Sequence, residues 1–333
     1  MNRFFTVAAA AALAASVVFP MSAAAKELRM GLLVSNKALA FKAAEKFAEH
    51  VKKATGGEYT VKLFPSQQLG SGKEMMNMLK LGTLDFYQGT NTQPTFLKEG
   101  KNFNATSAPY AFQSQDEFLK FLDSPLFKEM VQNFSKGGVT LLGYMGSRSP
   151  RAITTAKTQV KSPADMKGLK MRVPGSPSFI AFFKALGVVP TPMPFSEFFT
   201  SAKTGLVEGQ DNGIEVVYPR GLYSVQKYYA KTDHAFGAWM LFGGASKSAK
   251  WPDKLKSAVS EGLKIAAVYS DGELNKSMAT AFKGVQEKGM TVVDVDKGPF
   301  IEVAKKVWKD LDGDKWDKGF MDKLQKQLAA FRK

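Results

Sequence analysis

Hydrophobic residues recur with two alternating periods along the first ninety positions. Residues 28–34 form a short apolar run that is typical of a buried strand. In the next segment, Ala44, Phe47 and Val51 share one helical face, and the Gly-Gly pair at its end favours a helix stop. The predicted elements that follow are a strand at 59–64, a helix at 70–82 and a strand at 84–89. This β-α-β-α-β order predicts a mainly parallel sheet.

A mainly helical section and a second series of strands and helices occupy the rest of the chain. Ser114 and Glu117 have the spacing of a capping box. From Pro252 to about Gly289 no proline intervenes and apolar residues repeat at near-helical intervals, which predicts one helix of more than thirty residues. The other predicted elements are strands at 139–146, 169–173, 206–212, 234–242 and 290–295, helices at 176–187 and 195–205, a proline-rich connector at 188–194 and two C-terminal amphipathic helices.

Two such series predict an α/β protein with two lobes, each a mainly parallel sheet flanked by helices. We expect lobe I to comprise residues 26–149 and about 238–277, and lobe II to comprise residues 150–237 and about 278–333. The apolar strand at 234–242 is expected to cross between the lobes. The ligand cleft is expected between them.

Residues 1–25 have the pattern of a cleaved signal peptide. Arg3 precedes an apolar run from Phe4 to about Val18, and Ala23-Ala24-Ala25 fits the small-residue rule at a cleavage site. The alternative is a membrane anchor, but the run is short and rich in alanine, whereas a span needs about 20 apolar residues. We therefore expect a mature chain that starts at Lys26 and resides in the periplasm.

The residue composition excludes several kinds of chemistry. The 333 residues include no cysteine and two histidines, so disulfides, thiol catalysis and cysteine metal sites are excluded. His50 is expected to be an exposed polar residue and His234 a structural one. No nucleophile elbow, phosphate loop or dinucleotide motif occurs. We expect neither a metal nor a cofactor.

The charge balance is strongly basic. With 46 Lys and Arg against 30 Asp and Glu, the net charge is +16, and such a field attracts anions. The lysines are dispersed along helices and do not form one basic run, and the expected export of the chain argues against nucleic acid, which the charge alone would suggest. We therefore expect no nucleic-acid partner.

Polar residues collect where the predicted strands end. Alternation places Leu169, Met171 and Val173 on one face of a strand and Arg172 on the other. Ligands of open parallel sheets bind at the carboxyl ends of strands. The cleft candidates at these ends are Ser35, Asn36, Gln88 to Asn91, Gly146 to Arg151, Arg172, Asp211 and Asn212. Amides, hydroxyls and arginines suit recognition of a polar anion, and they lack the paired nucleophile and base of a hydrolase.

Several spaced segments resemble one known family. They are AAEKFAEHVKKATGGEYTVKLFPSQQLG, LGTLDF, PYAF, DMKGLKMRVPGSP, ALGVVPTPMPFSE and KTGLVEGQDN. In this order they resemble the periplasmic solute-binding proteins of TRAP transporters, the DctP or C4-dicarboxylate family. The resemblance implies a two-lobed periplasmic-binding-protein-like fold with a long interlobe helix. It also implies a non-enzymatic monomer that captures a small organic acid by hinge closure and passes it to a small and a large membrane permease subunit.

The resemblance implies roles for particular residues. Arg172 corresponds to the arginine that forms a two-pronged salt bridge to a substrate carboxylate, a geometry that a guanidinium provides and an ammonium does not. The second family arginine corresponds to Arg151 or Arg148, and the family amide corresponds to Asn212. The remaining candidates are Phe195 (alternatively a core residue), Asn36, Gln88, Thr90 and Asn91 in the first lobe, and Trp239 and Tyr110 as walls of the pocket. Sialic-acid-binding members of the family carry an acidic residue just after the LDF strand. This chain has no acidic residue there, so the resemblance argues against sialic acid as the ligand.

Two alternatives remain open from the sequence. An exported enzyme acting on acidic sugars needs a general base in the cleft, and Asp211 is the candidate. A basic protein that binds an anionic polymer or membrane surface would lose affinity steeply with salt. The sequence does not identify the ligand among dicarboxylates, sugar acids and 2-oxo acids.

Overall fold

Residues 25–332 are described by a computed structural model and form eleven strands and twelve α-helices. The predicted signal peptide, except for Ala25, lies outside the described residues. The strands are β1 Lys26–Leu32, β2 Tyr59–Phe64, β3 Phe86–Thr90, β4 Val139–Ser147, β5 Arg151–Thr155, β6 Lys170–Val173, β7 Val189–Pro192, β8 Gly209–Asn212, β9 Tyr228–Ala235, β10 Ala238–Gly244 and β11 Thr291–Asp294. The helices are α1 Leu39–Ala54, α2 Gly72–Lys80, α3 Phe103–Thr106, α4 Gln115–Leu122, α5 Pro125–Ser135, α6 Pro177–Ala185, α7 Phe195–Lys203, α8 Ile214–Val217, α9 Ala245–Ala249, α10 Asp253–Glu287, α11 Gly298–Leu311 and α12 Phe320–Ala329.

Side chains that precede the helices fix where α2 and α4 begin. At α2, the Ser71 hydroxyl accepts from the Glu74 amide at 3.3 Å, and the Glu74 carboxylate accepts from the Ser71 amide at 2.6 Å. At α4, the Ser114 hydroxyl accepts from the Glu117 amide as predicted, but the Glu117 carboxylate accepts from the amide of Gln113. The first cap is a reciprocal box and the second is half of one.

The first sheet has the strand order β2-β1-β3-β10-β4, and β10 runs antiparallel to both of its neighbours. Helix α1 and the first half of α10 cover one face, around Phe47 and Leu263. Helices α2 to α5 and α12 cover the other face, around Phe121 and Trp316. Apolar clusters on both faces explain why the strands of this sheet read as near-continuous apolar runs.

The second sheet has the order β11-β9-β5-β8-β6-β7, and β5 alone runs against its neighbours. Helices α6 and α11 cover one face, around Phe182 and Phe300. Helices α7 and α8 and the second half of α10 cover the other, around Phe198 and Val285. The predicted α/β class with two mainly parallel sheets is confirmed.

The chain passes between the sheets three times: twice in a two-stranded crossover ribbon made of β4–β5 and β9–β10, and once through α10, which lies between β10 and β11. Ser147 pairs with Ala238, Arg151 pairs with Ala235, and the Arg148 amide donates to the Gly237 carbonyl at 3.0 Å between them. The predicted single strand at 234–242 is therefore divided between two strands in different sheets: its first two residues end β9, whose other six residues were not predicted, and Ala238 to Phe242 belong to β10. A Cβ on Gly237 would lie 2.3 Å from the Asn91 side chain, so glycine is required where the ribbon passes.

Two short strands of the second sheet were not predicted. β5 follows β4 after three residues and continues the same ribbon into the other sheet. β7 lies within the segment that was expected to be a proline-rich connector, and it contains Pro190 and Pro192. Because β7 is an edge strand that pairs with β6 alone, its prolines need not donate to a second neighbour.

The predicted long helix is α10, with 35 residues. It packs against α1 and β4 of the first sheet and against α8 and β11 of the second. Two of its three glycines lie where an aromatic ring approaches closely: a Cβ on Gly262 would meet the Phe47 ring at 3.0 Å and one on Gly284 would meet the Tyr218 ring at 2.3 Å, whereas Gly272 has open space around it. The helix therefore lies along both halves of the molecule.

Both C-terminal helices were expected in lobe II. α11 packs against α6 of the second sheet through Phe300 and Ala304, but Val307 and Leu311 near its end belong to the cluster on the first sheet. α12 belongs to that first-sheet cluster through Phe320, Leu324 and Leu328. Among residues 25–332, no helix combines the length and apolar composition that a membrane span requires.

Candidate functional site

A cavity of about 80 Å³ lies where strand ends of the two sheets meet. The loops after β1 and β3 line it from the first sheet, and the carboxyl ends of β6 and β8 line it from the second. This is the edge at which open α/β sheets bind ligands. Its polar lining residues are Thr90, Thr92, Gln93, Arg148, Arg151, Arg172 and Asn212. Its apolar lining residues are Leu33, Val34, Pro174, Phe195, Val216 and Trp239.

Arg172 reaches the cavity wall from β6. Met171 and Val173 are fully buried on the opposite face of the strand, as the alternation predicted. Arg172 is 5% exposed, and its Nε donates to the Met193 carbonyl at 3.1 Å. Within residues 25–332, its two terminal nitrogens make no hydrogen bond and no carboxylate lies within ion-pair distance. Burial lowers the pKa of Arg172 to about 10.

Arg151, at the start of β5, is paired with a buried carboxylate. A guanidinium nitrogen lies 2.6 Å from Asp211 Oδ2, and Nη2 donates to the Asp211 carbonyl at 2.8 Å. Burial favours the protonated carboxyl, but Arg151 and His234 together hold the pKa of Asp211 well below its usual range. Asp211 therefore carries a negative charge that neutralises Arg151.

His234 contacts the same oxygen of Asp211 as Arg151 does, and it does not line the cavity. Its Nε2 is 3.2 Å from Asp211 Oδ2 and its Nδ1 is 2.8 Å from the Thr232 hydroxyl. Because an ionised carboxylate only accepts, Nε2 donates to Asp211 and Nδ1 accepts from Thr232. Burial lowers the pKa of His234, so the ring is neutral at pH 7. His234 is thus a structural residue.

Arg148 lies in the crossover ribbon and is also paired. Its Nε donates to Glu215 Oε1 at 3.0 Å, and both side chains are 5% exposed. Its guanidinium lies 4.6 Å from the centroid of the Trp239 ring, within cation–π range. Burial lowers the pKa of Arg148, and the Glu215 carboxylate opposes that shift. The pair bridges the ribbon and the segment after β8.

Asn212 orients both paired arginines. Its Oδ1 accepts from Arg148 Nη2 at 3.0 Å and from Arg151 Nη1 at 3.1 Å, and its Nδ2 donates to Gln210 at 3.0 Å. An amide oxygen with two cationic donors cannot rotate without breaking both bonds. Asn212 therefore fixes two guanidiniums at the cavity wall.

The cavity carries one unbalanced positive charge. Three arginines line it, and buried carboxylates neutralise two of them: Glu215 pairs with Arg148, and Asp211 pairs with Arg151. Arg172 is the arginine without such a partner. A buried charge is stabilised chiefly by an opposite charge, so the arrangement favours a ligand with one negative charge at Arg172.

The structure brings most of the predicted site residues together. Arg172, Arg151, Arg148, Asn212, Phe195, Thr90 and Trp239 line the cavity. Asn91 lines a smaller neighbouring pocket, and its side-chain oxygen accepts from the Ala238 amide in the ribbon. Gln88 is fully buried and donates to the Ala40 carbonyl at 2.9 Å, and Asn36 is exposed to solvent; neither lines the cavity. Tyr110 lies outside the cavity and packs with Phe182.

Several lining residues were not singled out from the sequence. Thr92 and Gln93 come three and four residues after the predicted strand at 84–89, and the polar run QGTNTQ was the available signal. The carboxylate of Glu215 lay outside every quoted motif, and only the fold places it against Arg148.

Comparison with known proteins places this geometry in one family. The profile of bacterial extracellular solute-binding protein family 7, DctP, matches residues 30–314. A solute-binding protein of Roseobacter denitrificans is 32% identical over 300 residues, which are 90% of each chain. The 2,3-diketo-L-gulonate-binding periplasmic protein YiaO of Escherichia coli is 30% identical over 283 residues, 84% of this chain and 85% of YiaO.

Solved structures show the same architecture. A TRAP periplasmic solute-binding protein from Roseobacter denitrificans with bound L-galactonate has a TM-score of 0.79 and 31% identity, covering 84% of this chain and 92% of its own. The protein from Actinobacillus succinogenes, also with bound L-galactonate, has a TM-score of 0.87 and covers 92% of this chain and all of its own. At 24% identity, the second likeness concerns the fold.

Proposed function

This chain belongs to the bacterial extracellular solute-binding proteins of family 7, and from that membership we propose that it captures a sugar acid with a single carboxylate for a TRAP transporter. In this proposal the acid binds in the cavity between the two sheets. The protein releases it unchanged to a small and a large membrane permease subunit.

The observation that carries the proposal is the free fork of Arg172. Its terminal nitrogens are held at the cavity wall without a partner among residues 25–332. A carboxylate that accepts two parallel hydrogen bonds from this fork would satisfy both donors and neutralise the charge. A guanidinium does this better than an ammonium, because its donors are planar and fixed.

The single unbalanced charge supports a monocarboxylate over a dicarboxylate. A second carboxylate would meet Arg148 and Arg151, which Glu215 and Asp211 already neutralise. The hydroxyls of Thr90 and Thr92 and the amide of Gln93 offer partners for ligand hydroxyls instead. The Roseobacter protein that holds L-galactonate and the diketogulonate-binding protein YiaO support this class of ligand.

Hinge closure is the proposed means of capture. In this proposal the first-sheet lobe includes α12, and the chain connects the lobes through the crossover ribbon and α10. Bending of these connections lets a ligand enter and lets the lobes enclose it. Enclosure excludes water and strengthens the pair with Arg172. We expect the closed monomer to be the form that the permease recognises.

A periplasmic location and the absence of catalysis complete the proposal. The periplasmic relatives and the predicted signal peptide at 1–25 support export. Asp211, the candidate base of the enzyme alternative, is fully buried and paired with Arg151. Because its pKa lies well below the usual range, its carboxylate is a poor proton acceptor.

The test is calorimetric titration with L-galactonate, 2,3-diketo-L-gulonate and succinate. We expect one site per chain, with the sugar acids preferred over succinate and recovered unchanged by NMR. Arg172→Lys keeps the charge without the fork and is expected to lose part of the affinity. Arg29→Lys is the matched control, since Arg29 is outside the cavity. Preference for succinate would contradict the single-charge argument, and conversion of the acid would contradict the binding role.

A further inference from the structure

A second arginine without an acidic partner joins the two sides of the cleft. Arg220, in the turn after α8, donates through Nη2 to the carbonyl of Leu33 at 2.6 Å. Leu33 directly follows β1 of the first sheet and lines the cavity. The helix that precedes Arg220 packs mainly in the second-sheet cluster with Phe198. The bond therefore spans from one half of the molecule to the other.

The surroundings of Arg220 leave this bond as its main polar contact. Within residues 25–332, no carboxylate lies within ion-pair distance, and its Nε is buried without a hydrogen-bond partner. The desolvation of a partly buried guanidinium is costly unless its donors are satisfied. In the proposed hinge motion, separation of the two halves would take Leu33 away from these donors and expose them to water, so the bond would belong to the closed arrangement.

Phe195 connects Arg220 to the ligand cavity. The ring centroid lies 5.3 Å from the guanidinium of Arg220 and 5.3 Å from that of Arg172. Phe198 stacks on the same ring at 6.3 Å with an interplanar angle of 4°. A ring held between these neighbours has little freedom. Arg220 thus contacts the group that packs against the proposed anchor without lining the cavity itself.

Val216 provides an apolar contact between the same two halves of the molecule. We call the line where Arg220 and Val216 meet the first-sheet half the seam. It belongs to the cluster on the first sheet that includes Leu32 and Trp239, although its neighbours Ile214 and Val217 pack with the second sheet. The polar bond of Arg220 and the apolar contact of Val216 lie one turn apart in the sequence. The seam beside the cavity is therefore closed by two kinds of interaction.

We infer that Arg220 is a latch for the closed form: its bond to the Leu33 carbonyl holds the two halves together and positions Phe195 against Arg172. The inference rests on the proposed function, since it assumes that a ligand is enclosed by closure. Arg220 is a positioning residue, and its effect reaches the ligand through the closed state. Its removal should speed ligand release and leave ligand entry nearly unchanged, because entry occurs in the open form.

The kinetic test measures association and dissociation of L-galactonate by stopped flow. For Arg220→Gln we expect a dissociation rate about tenfold higher, from loss of one charge-assisted hydrogen bond, and an association rate within about twofold. Arg220→Lys keeps the charge but has a shorter reach, so we expect most of the same acceleration. Arg29→Gln removes an arginine of β1 that donates to the carbonyl of Thr83, in the turn before β3, and it is the control. An unchanged dissociation rate in Arg220→Gln overturns the latch, and so does a wild-type dissociation rate in Arg220→Lys, because the effect would then depend on the charge and not on the bond to Leu33.

A second measurement does not depend on the ligand class. The chain has no cysteine, so Lys53→Cys on α1 and Lys203→Cys on α7 allow specific spin labelling, and both lysines are exposed. We expect Arg220→Gln to shift the distance distribution between the labels toward longer separations, with an unchanged thermal unfolding midpoint within a few degrees. Identical distributions in the wild type and in Arg220→Gln, both measured without ligand, overturn the latch. If L-galactonate fails to bind the wild type, the proposed ligand class fails, and the distances alone decide on Arg220.

Discussion

Replacing Arg172 by methionine should have opposite effects on stability and on binding. Methionine has similar length, fills the same space and carries no charge. Arg172 is 5% exposed and has no carboxylate partner among the described residues. Without ligand, the folded protein therefore holds a desolvated charge whose removal relieves a cost. With ligand, the same charge is the proposed anchor.

The magnitude follows from the pKa of Arg172. Burial lowers it from the ordinary value of an arginine to about 10, which corresponds to about 3 kcal/mol at about 1.36 kcal/mol per pKa unit. Loss of the Nε bond to the Met193 carbonyl returns about 1 kcal/mol. The ligand-free variant should therefore be about 2 kcal/mol more stable, a rise of roughly 4 °C in the unfolding midpoint. Affinity should fall by about 2–5 kcal/mol, or roughly 30- to 4,000-fold.

Thermal unfolding without ligand and calorimetry with L-galactonate measure the two effects on one preparation. Arg151→Met is the matched control, because it leaves the Asp211 carboxylate buried without its guanidinium partner. The control should lose stability, by about 3–5 kcal/mol, as well as affinity. If Arg172→Met unfolds at a lower temperature and still binds the acid, Arg172 is a structural residue and the anchor role is refuted.

Three further outcomes test the charges around the cavity. The pKa of His234 in the folded protein lies below the ordinary 6.5, so the unfolded chain binds the proton more readily as the pH falls. The free energy of unfolding should therefore decrease as the pH drops below about 6.5. Urea titrations at several pH values should show this decrease, and His234→Gln should remove it. Glu215→Gln should destabilise the fold by about 3–5 kcal/mol by leaving Arg148 unpaired, and should raise the affinity for succinate relative to L-galactonate in calorimetry. The affinity for L-galactonate should change less than about threefold between about 0.05 and 0.3 M salt, since the pair is buried; a steep log-linear loss would favour the anionic-polymer alternative.

The sequence predicts the parts of the site that depend on local periodicity. Alternation along β6 is enough to separate Arg172 from Met171 and Val173, and the carboxyl-edge rule is enough to place Asn212 and Thr90 at one cleft. The same rule does not say how far each residue lies from the edge. Gln88 precedes Thr90 by two residues, about 6.6 Å along the strand. Its side-chain amide donates to the Ala40 carbonyl and does not line the cavity.

Contacts between distant segments could not be predicted in this way. Glu215 is 67 residues from Arg148, and only the crossover ribbon brings them to 3.0 Å. The sequence left open whether Arg151 or Arg148 is the second arginine, and both line the cavity because Asn212 binds both. The end of β9 and the start of β10 on either side of Gly237 were not predicted. An apolar run has the same periodicity whether its residues belong to one sheet or to two.

The position of the arginines bears on how binding and closure are coupled in the proposed mechanism. Arg148 lies between β4 and β5, and Arg151 begins β5, so the backbone that carries them is also one of the connections that must bend. Glu215, Asp211 and Asn212 hold their side chains to the second-sheet side. Of the three arginines, Arg172 on the separate strand β6 is the one whose charge the ligand can neutralise. In this mechanism a ligand bound at Arg172 supplies a negative charge close to the seam that Arg220 closes. Neutralisation of Arg172 and closure of the two halves therefore favour each other directly, because the centroid of the Phe195 ring lies 5.3 Å from each of the two guanidiniums.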